Sequence, residues 1–159
     1  MSLAKDLEVL RSIPLFAKVK PAKLKLLAFT SERLEYLPGD ELFHQGDYGD
    51  AAFVILGGQA DILVDTPKGA VKVATLGKNE IVGEIAILCD VPRTATVVAH
   101  GELEALRVSK DGFLHLVTQF PQVGIEVMSG LASKLNRTTQ ALTSARAKLD
   151  ELDKGDSGG

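Results

Sequence analysis

Apolar positions follow three rhythms along the chain. Between residues 2 and 11, Leu3, Leu7 and Leu10 recur at helical spacing, and Pro21 opens a second short helical segment with Leu24, Leu26, Leu27 and Phe29. From Arg33 to Val108 short apolar or alternating runs are separated by turn residues. Their spacing, roughly every eight to twelve positions, is that of an all-β sandwich or barrel. After Ser109, an expected N-cap, FLHLVTQF reads as a short helix stopped by Pro121. From Met128 the positions Met128, Leu131, Leu135, Thr138, Leu142, Ala145, Leu149 and Leu152 alternate in steps of three and four, with one polar occupant.

The turn residues are chemically specific. Pro38-Gly39 suits the central pair of a type II turn, because proline presets the first φ and glycine accepts the positive second one. Gly57-Gly58, between AAFVIL and QADILV, predicts a two-residue hairpin loop. In the following strand Ala60, Ile62 and Val64 share a buried face, while Asp61 and Asp65 share a wet one. Residues 65 to 69 form another turn, leading to the alternating VKVAT, and later strands are expected at TATVVA and LEALRV.

With 159 residues the expectation is a single domain that buries a core without disulfide staples. The helical stripe divides the C-terminal end. Its first turns are expected to pack on the β core, whereas the seam beyond about Thr138 is expected to meet a second copy in a parallel homodimer. The organisation read from the chain is a domain over 1–135, an extension of the C-terminal helix and candidate coiled coil over 136–152, and a disordered tail over 153–159.

Composition narrows the function classes. A net charge of -3 and a pI near 5.6 argue against a general nucleic-acid binder, which carries a basic face to displace counterions. The single cysteine, Cys89, can form neither an internal disulfide nor a thiolate metal site, so a reducing cytoplasm is the expected location. No run of 18 apolar residues and no signal-peptide core is present, so neither secretion nor a membrane span is expected. Lys18, Lys20, Lys23 and Lys25 alternate with apolar residues and read as a solvated helix face rather than a lipid-binding one.

Enzyme signatures are scarce. His44, His100 and His115 lie in different elements without paired metal-ligand spacing, and the G-x-S-x-G, G-x-x-x-x-G-K-[ST] and G-x-G-x-x-G patterns are missing. No metal or cofactor is expected, and binding becomes the leading class.

The stretch VGEIAILCDVPRTATVV, Val82 to Val98, carries the candidate chemistry. Gly83 lets the backbone approach a ligand closely, and IAIL is long enough for one helical turn whose free N–H groups would face an anion. Arg93 supplies a permanent cation with a planar fork matched to phosphate oxygens. A carboxylate beside a phosphate is repulsive unless turned toward hydroxyl donors, so a ligand with both a phosphate and a free sugar hydroxyl would use Arg93 and Glu84 together. The residues alone leave open a partly buried Glu84–Arg93 ion pair that merely closes a loop.

Three motifs, IPLF at Ile13 to Phe16, LPGDELFHQGDYGDAAFVILGGQADILV at Leu37 to Val64 and GEIAILCDVPRTATV at Gly83 to Val97, carry a family resemblance. The chain resembles the cyclic nucleotide-binding domain family of catabolite-activator-like transcription factors, kinase regulatory subunits and nucleotide-gated channels, from about Leu10 to Leu135. The resemblance implies an α+β fold: a β jelly roll, or double-stranded β-helix barrel, flanked by N-terminal and C-terminal helices. The last motif resembles the family's phosphate-binding cassette. Carried over, Glu84 would take the ribose 2′-hydroxyl, Arg93 the cyclic phosphate, and backbone amides around Gly83, Ile85, Ala86, Thr94 and Ala95 would complete the cradle.

Two departures bear on the ligand. Val82 stands where the family usually has an aromatic, and Thr94 stands in place of the alanine of kinase regulatory subunits. A threonine hydroxyl there can bond a guanine in the syn orientation, so the resemblance implies cyclic AMP with cyclic GMP as a second candidate. It also implies that residues 123 to 142 act as a lid, with Leu135 or Arg137 as candidates to cap the base. The expected partners are the nucleotide, a second copy of the chain and an effector protein, with no DNA-binding domain in these residues. The alternative is a ligand-free scaffold or dimerisation module of the same fold.

Overall fold

A computed structural model describes residues 3–157 except 14, 15 and 18. Pro14 and Leu15 of the IPLF motif, Lys18, and the two glycines that end the expected tail therefore lie outside the described residues. The chain divides into two units, Met1–Val123 and Gly124–Gly159.

The first unit opens on two helices, α1 (Leu3–Ser12) and α2 (Pro21–Thr30), which pack against each other. Proline stands at the first position of α2, where its missing N–H costs no helical bond. Leu10, Ile13, Phe16, Val19, Leu24 and Leu27 are buried in this preface. Six strands follow: β1 (Glu32–Tyr36), β2 (Glu41–Phe43), β3 (Ala51–Thr66), β4 (Gly69–Leu76), β5 (Ile81–Val82) and β6 (Thr96–Ser109). The short helix α3 (Glu84–Leu88) lies between β5 and β6, and α4 (Lys110–Gln119) closes the unit. Every pairing is antiparallel.

The long strands β3 and β6 run beside each other and organise the rest. The first part of β3 takes β5 on its far side and the second part takes β4, while β6 takes β2 near its start and β1 near its end. Two sheet regions with different edge strands thus share one central pair. The switch falls at glycine. Gly57 pairs with Glu104 and Gln59 with His100, so two steps on β3 oppose four on β6, with Gly58 at φ 84° and Gly101 at φ 80°. Such a bulge bends a strand and re-aims its side chains. Phe53 and Ile55 before it, and Ala60 after it, enter one core cluster with Val97, Ala99, Leu103 and Ala105, so the inward set changes from odd to even positions across the glycines.

This corrects two expectations. Gly57-Gly58 is not a hairpin loop: the backbone continues as one strand, because the positive φ serves a bend rather than a reversal. TATVVA and LEALRV are likewise one strand, β6. The other turns are as expected. Gly39 has φ 88°, with Asp40 N–H donating to the Leu37 carbonyl at 3.0 Å. Ser109 caps α4, its hydroxyl accepting from Gly112 N–H at 3.1 Å, a contact of about 1 kcal/mol. The expected α+β class, an antiparallel β body with flanking helices, is the observed one.

The second unit consists of helix α5 (Pro121–Ser157), whose first residues belong to the first unit. The expected boundary at 135 falls inside this single helix, and the expected tail from 153 is helical to Ser157. No proline interrupts the segment after Pro121, so nothing in its covalent structure stops the helix there. Along it Met128, Leu135, Leu142, Leu149 and Leu152 are exposed, and the side chain of Thr138 lies outside the described residues.

Candidate functional site

The site is built on the connection from β5 to β6. Val82 ends β5 buried, and Gly83 then turns the backbone into the left-handed region, at φ 84°, as the N-cap of α3. A Cβ at Gly83 would lie 2.5 Å from Arg93 Nη1 and 3.1 Å from the Phe43 ring, so glycine is required by both conformation and space. Glu84, in the first turn of α3, is 1% exposed. Its carboxylate lies at the helix end that favours negative charge. Cys89 N–H returns to the Ile85 carbonyl at 2.9 Å, and Asp90 reverses the chain at φ 52°. Val91 N–H then donates to Ala86 O at 3.2 Å, which brings Pro92 and Arg93 back beside the start of α3.

Arg93 is 4% exposed and held from all sides. Its backbone N–H donates to Asp47 O at 2.7 Å, and its own carbonyl accepts from Gly46 N–H at 2.9 Å. In the side chain, Nη1 donates to Gly83 O at 2.8 Å and Nη2 to Ala51 O at 2.6 Å. These bonds go to backbone carbonyls, while the Glu84 carboxylate acts on Arg93 through its charge. The guanidinium carbon sits 4.0 Å from the centroid of the Phe43 ring. Nε is buried and has no hydrogen-bond partner among the described residues.

That arrangement is electrostatically unfinished. Burial pushes the Arg93 pKa down, and the nearby Asp50, Glu84 and Asp47 carboxylates oppose the shift. An arginine so placed keeps its charge at neutral pH. A buried cation with an unsatisfied N–H costs free energy unless an anion or polar group meets it.

The structure brings Gly83, Glu84, Ala86 and Arg93 close to one another. A Cβ on Gly49 would lie 2.9 Å from Ala86 Cβ and 3.0 Å from Arg93 Cζ. Ile85 and Thr94 are exposed and Ala95 is half-buried. Leu135 and Arg137, the candidate lid residues, lie on α5 in the second unit with exposed side chains. Sequence reasoning did not single out Phe43, Asp47, Gly49 or Ala51, which touch Arg93 through a ring, two carbonyls and a missing side chain. The glycines at 46 and 49, each followed directly by an aspartate within the motif Leu37 to Val64, were the available signal.

Other polar features lie apart from the cassette. His44 faces Glu41 at 3.2 Å and His100 faces Asp61 at 2.9 Å. Among the described residues no group of three or more His, Cys, Asp or Glu is placed to hold a metal ion, and no helix is long and apolar enough to cross a membrane. A cleft of about 550 Å³ is lined by Glu35, Tyr36, Leu37, Gly57, Glu102, Leu103 and Glu104. None of the cassette residues lines it, and its three carboxylates would repel a phosphate.

Comparison with known proteins places this geometry. The model of the cyclic nucleotide-binding domain matches residues 33–120. The chain is 31% identical over 108 residues to the cAMP-dependent protein kinase regulatory subunit of Aspergillus niger, covering 68% of this chain and 26% of that protein. It is 25% identical over 136 residues to the CRP-like cAMP-activated global transcriptional regulator of Mycobacterium tuberculosis, covering 85% of this chain and 61% of the regulator. The Thermus thermophilus catabolite activator protein superposes with a TM-score of 0.69 at 28% identity, covering 81% of this chain and 61% of that one. The chain thus spans about a quarter of the kinase subunit, at 26%, and under two thirds of the regulator, at 61%. With that match over more than half of its length, the chain belongs to the cyclic nucleotide-binding domain family.

Proposed function

We propose that the chain is a non-enzymatic cyclic-nucleotide sensor whose ligand is cyclic AMP. The observation that carries this is the buried Arg93, fixed by two carbonyls, with its Nε unpartnered beside the N-terminus of α3. A cyclic phosphate supplies the missing anion. Arg93 neutralises it, the amides around Gly83, Ile85, Ala86, Thr94 and Ala95 bond its oxygens, and Glu84 takes the ribose 2′-hydroxyl. Cyclic AMP is favoured because relatives on two sides of the family are named for it. Thr94 keeps cyclic GMP as the competitor to test.

Ligand occupancy is read out by α5, which shifts between two positions only as far as the nucleotide binds the two states unequally. Leu135 and Arg137 are the candidates to cap the base. A parallel homodimer through the α5 stripe and a separate effector protein complete the proposal.

Calorimetric titration with cyclic AMP and cyclic GMP side by side tests it. Saturable binding, tighter for cyclic AMP, supports the reading, and heat-free titrations with both nucleotides overturn it. The exposed leucines of α5 favour a second reading, a scaffold that only pairs with a partner helix. In that case protein denatured after purification releases no nucleotide to mass spectrometry, and neither ligand raises the unfolding temperature.

A further inference from the structure

Phe43 ends β2, at the point where the chain leaves the sheet for the loop that holds the Arg93 backbone. Its ring has two neighbours. Phe53 of the core cluster lies 5.9 Å away, centroid to centroid and tilted by 34°, and the Arg93 guanidinium carbon stands 4.0 Å from the ring centroid. The ring also lies 3.1 Å from where a Cβ on Gly83 would be. One aromatic side chain therefore touches the core, the cation and the glycine that starts α3.

The hydrogen bonds of Arg93 leave a gap that this ring fills. Nη1 and Nη2 are tied to Gly83 O and Ala51 O, which fixes the two ends of the fork. Hydrogen bonds tolerate angular error, so these two hold the tilt of the guanidinium plane about the line between those ends only loosely, and that tilt decides where Nε points. A cation held over the face of a ring is attracted by the ring's quadrupole, and more strongly once desolvated. Arg93 is 4% exposed, so the contact acts where water does not screen it.

We infer that Phe43 is a positioning residue for the Arg93 guanidinium, acting through the charge distribution of its ring and not only through its bulk. The inference rests on the reading of Arg93 as the phosphate partner. It adds an aromatic side chain of β2 to a site built from the β5–β6 connection, the loop between β2 and β3 and the start of β3.

The test separates ring electronics from packing. Replacing Phe43 in the full chain by mono-, di- and trifluorophenylalanine weakens the quadrupole stepwise while changing size little. The dissociation constant for cyclic AMP is expected to rise with each fluorine, reaching about fivefold at the third, and Phe43→Leu to match or exceed that. Phe43→Tyr, which keeps the π face, is expected to remain within about twofold of the unsubstituted chain. In NMR spectra the Arg93 Nε–H proton is expected to be shielded by the ring and to lose that shielding in Phe43→Leu. A constant affinity across the fluorinated series in folded protein overturns the inference. Should the unsubstituted chain bind neither nucleotide, the reading of the site fails on its own. Exchange of the Arg93 Nε–H proton with solvent then decides: faster exchange with each added fluorine supports the positioning, and a rate that stays constant across the fluorinated series overturns it.

Discussion

Arg93 Nη1 and the carbonyl of Gly83 are joined by a 2.8 Å hydrogen bond across ten positions of sequence. The cation and the left-handed glycine that starts α3 are one mechanical unit. Gly83→Ala sets a side chain at φ 84° and a Cβ 2.5 Å from Nη1. The backbone strain alone costs about 1–3 kcal/mol, and relief of the clash must displace Arg93. Chemical denaturation is expected to show that loss of stability, and calorimetry a loss of nucleotide affinity beyond it. A variant as stable as the parent with unchanged binding would contradict the unit.

The bend of β3 and β6 offers a paired test of close approach. A Cβ on Gly58 would lie 2.3 Å from the Glu102 carbonyl oxygen, whereas one on Gly39 would meet nothing within 4 Å, although both glycines have positive φ. Gly39→Ala should therefore cost only the conformational term of about 1–2 kcal/mol. Gly58→Ala should cost clearly more, since backbone of the central strand pair must move. Equal unfolding midpoints for the two variants would contradict this view of the bend.

Those two glycines also mark what was legible in the sequence. Pro38-Gly39, Pro21 and Ser109 act within a few residues of themselves, and each structured its surroundings as local chemistry dictates. Gly57-Gly58 has the same local chemistry as a hairpin turn. Its actual role follows from the register of Gly57 and Gln59 against Glu104 and His100, a long-range relation that local pattern does not carry. At the site the contiguous cassette was readable because its parts share one stretch of chain. Phe43, Gly49 and Ala51 were not, because they reach Arg93 only after β2 and β3 have folded against the β5–β6 connection.

His44 gives a pH signature near the loop that holds the Arg93 backbone. Hydrogen bonding to Glu41 raises its pKa above 6.5, with Asp47 and Asp65 adding charge in the same direction. Because the folded value is raised, the associated stability is fully present below about pH 6.5 and declines as pH rises through the folded value. Proton NMR titration should place the His44 midpoint above 6.5, and Glu41→Gln should lower it. A midpoint at or below 6.5 in the parent chain would refute the pairing.

Asp61 behaves in the opposite sense. Burial pushes its pKa up, but hydrogen bonds from His100 and Thr75, together with the nearby charges of His100 and Lys72, outweigh burial and hold it below 3.8. Its contribution is present above about pH 3.8 and lost as pH falls through the lowered value. His100→Ala should raise the Asp61 midpoint, read by carboxyl carbon NMR.

The reading of Arg93 as the phosphate partner is tested most directly by calorimetry of cyclic AMP binding to the parent chain and to Arg93→Ala, with Glu84→Gln in parallel. Removing the partner of a desolvated charge should weaken binding by about 2–4 kcal/mol, and Glu84→Gln should cost less. An Arg93→Ala protein that folds and binds cyclic AMP with near-parental affinity would contradict the assignment.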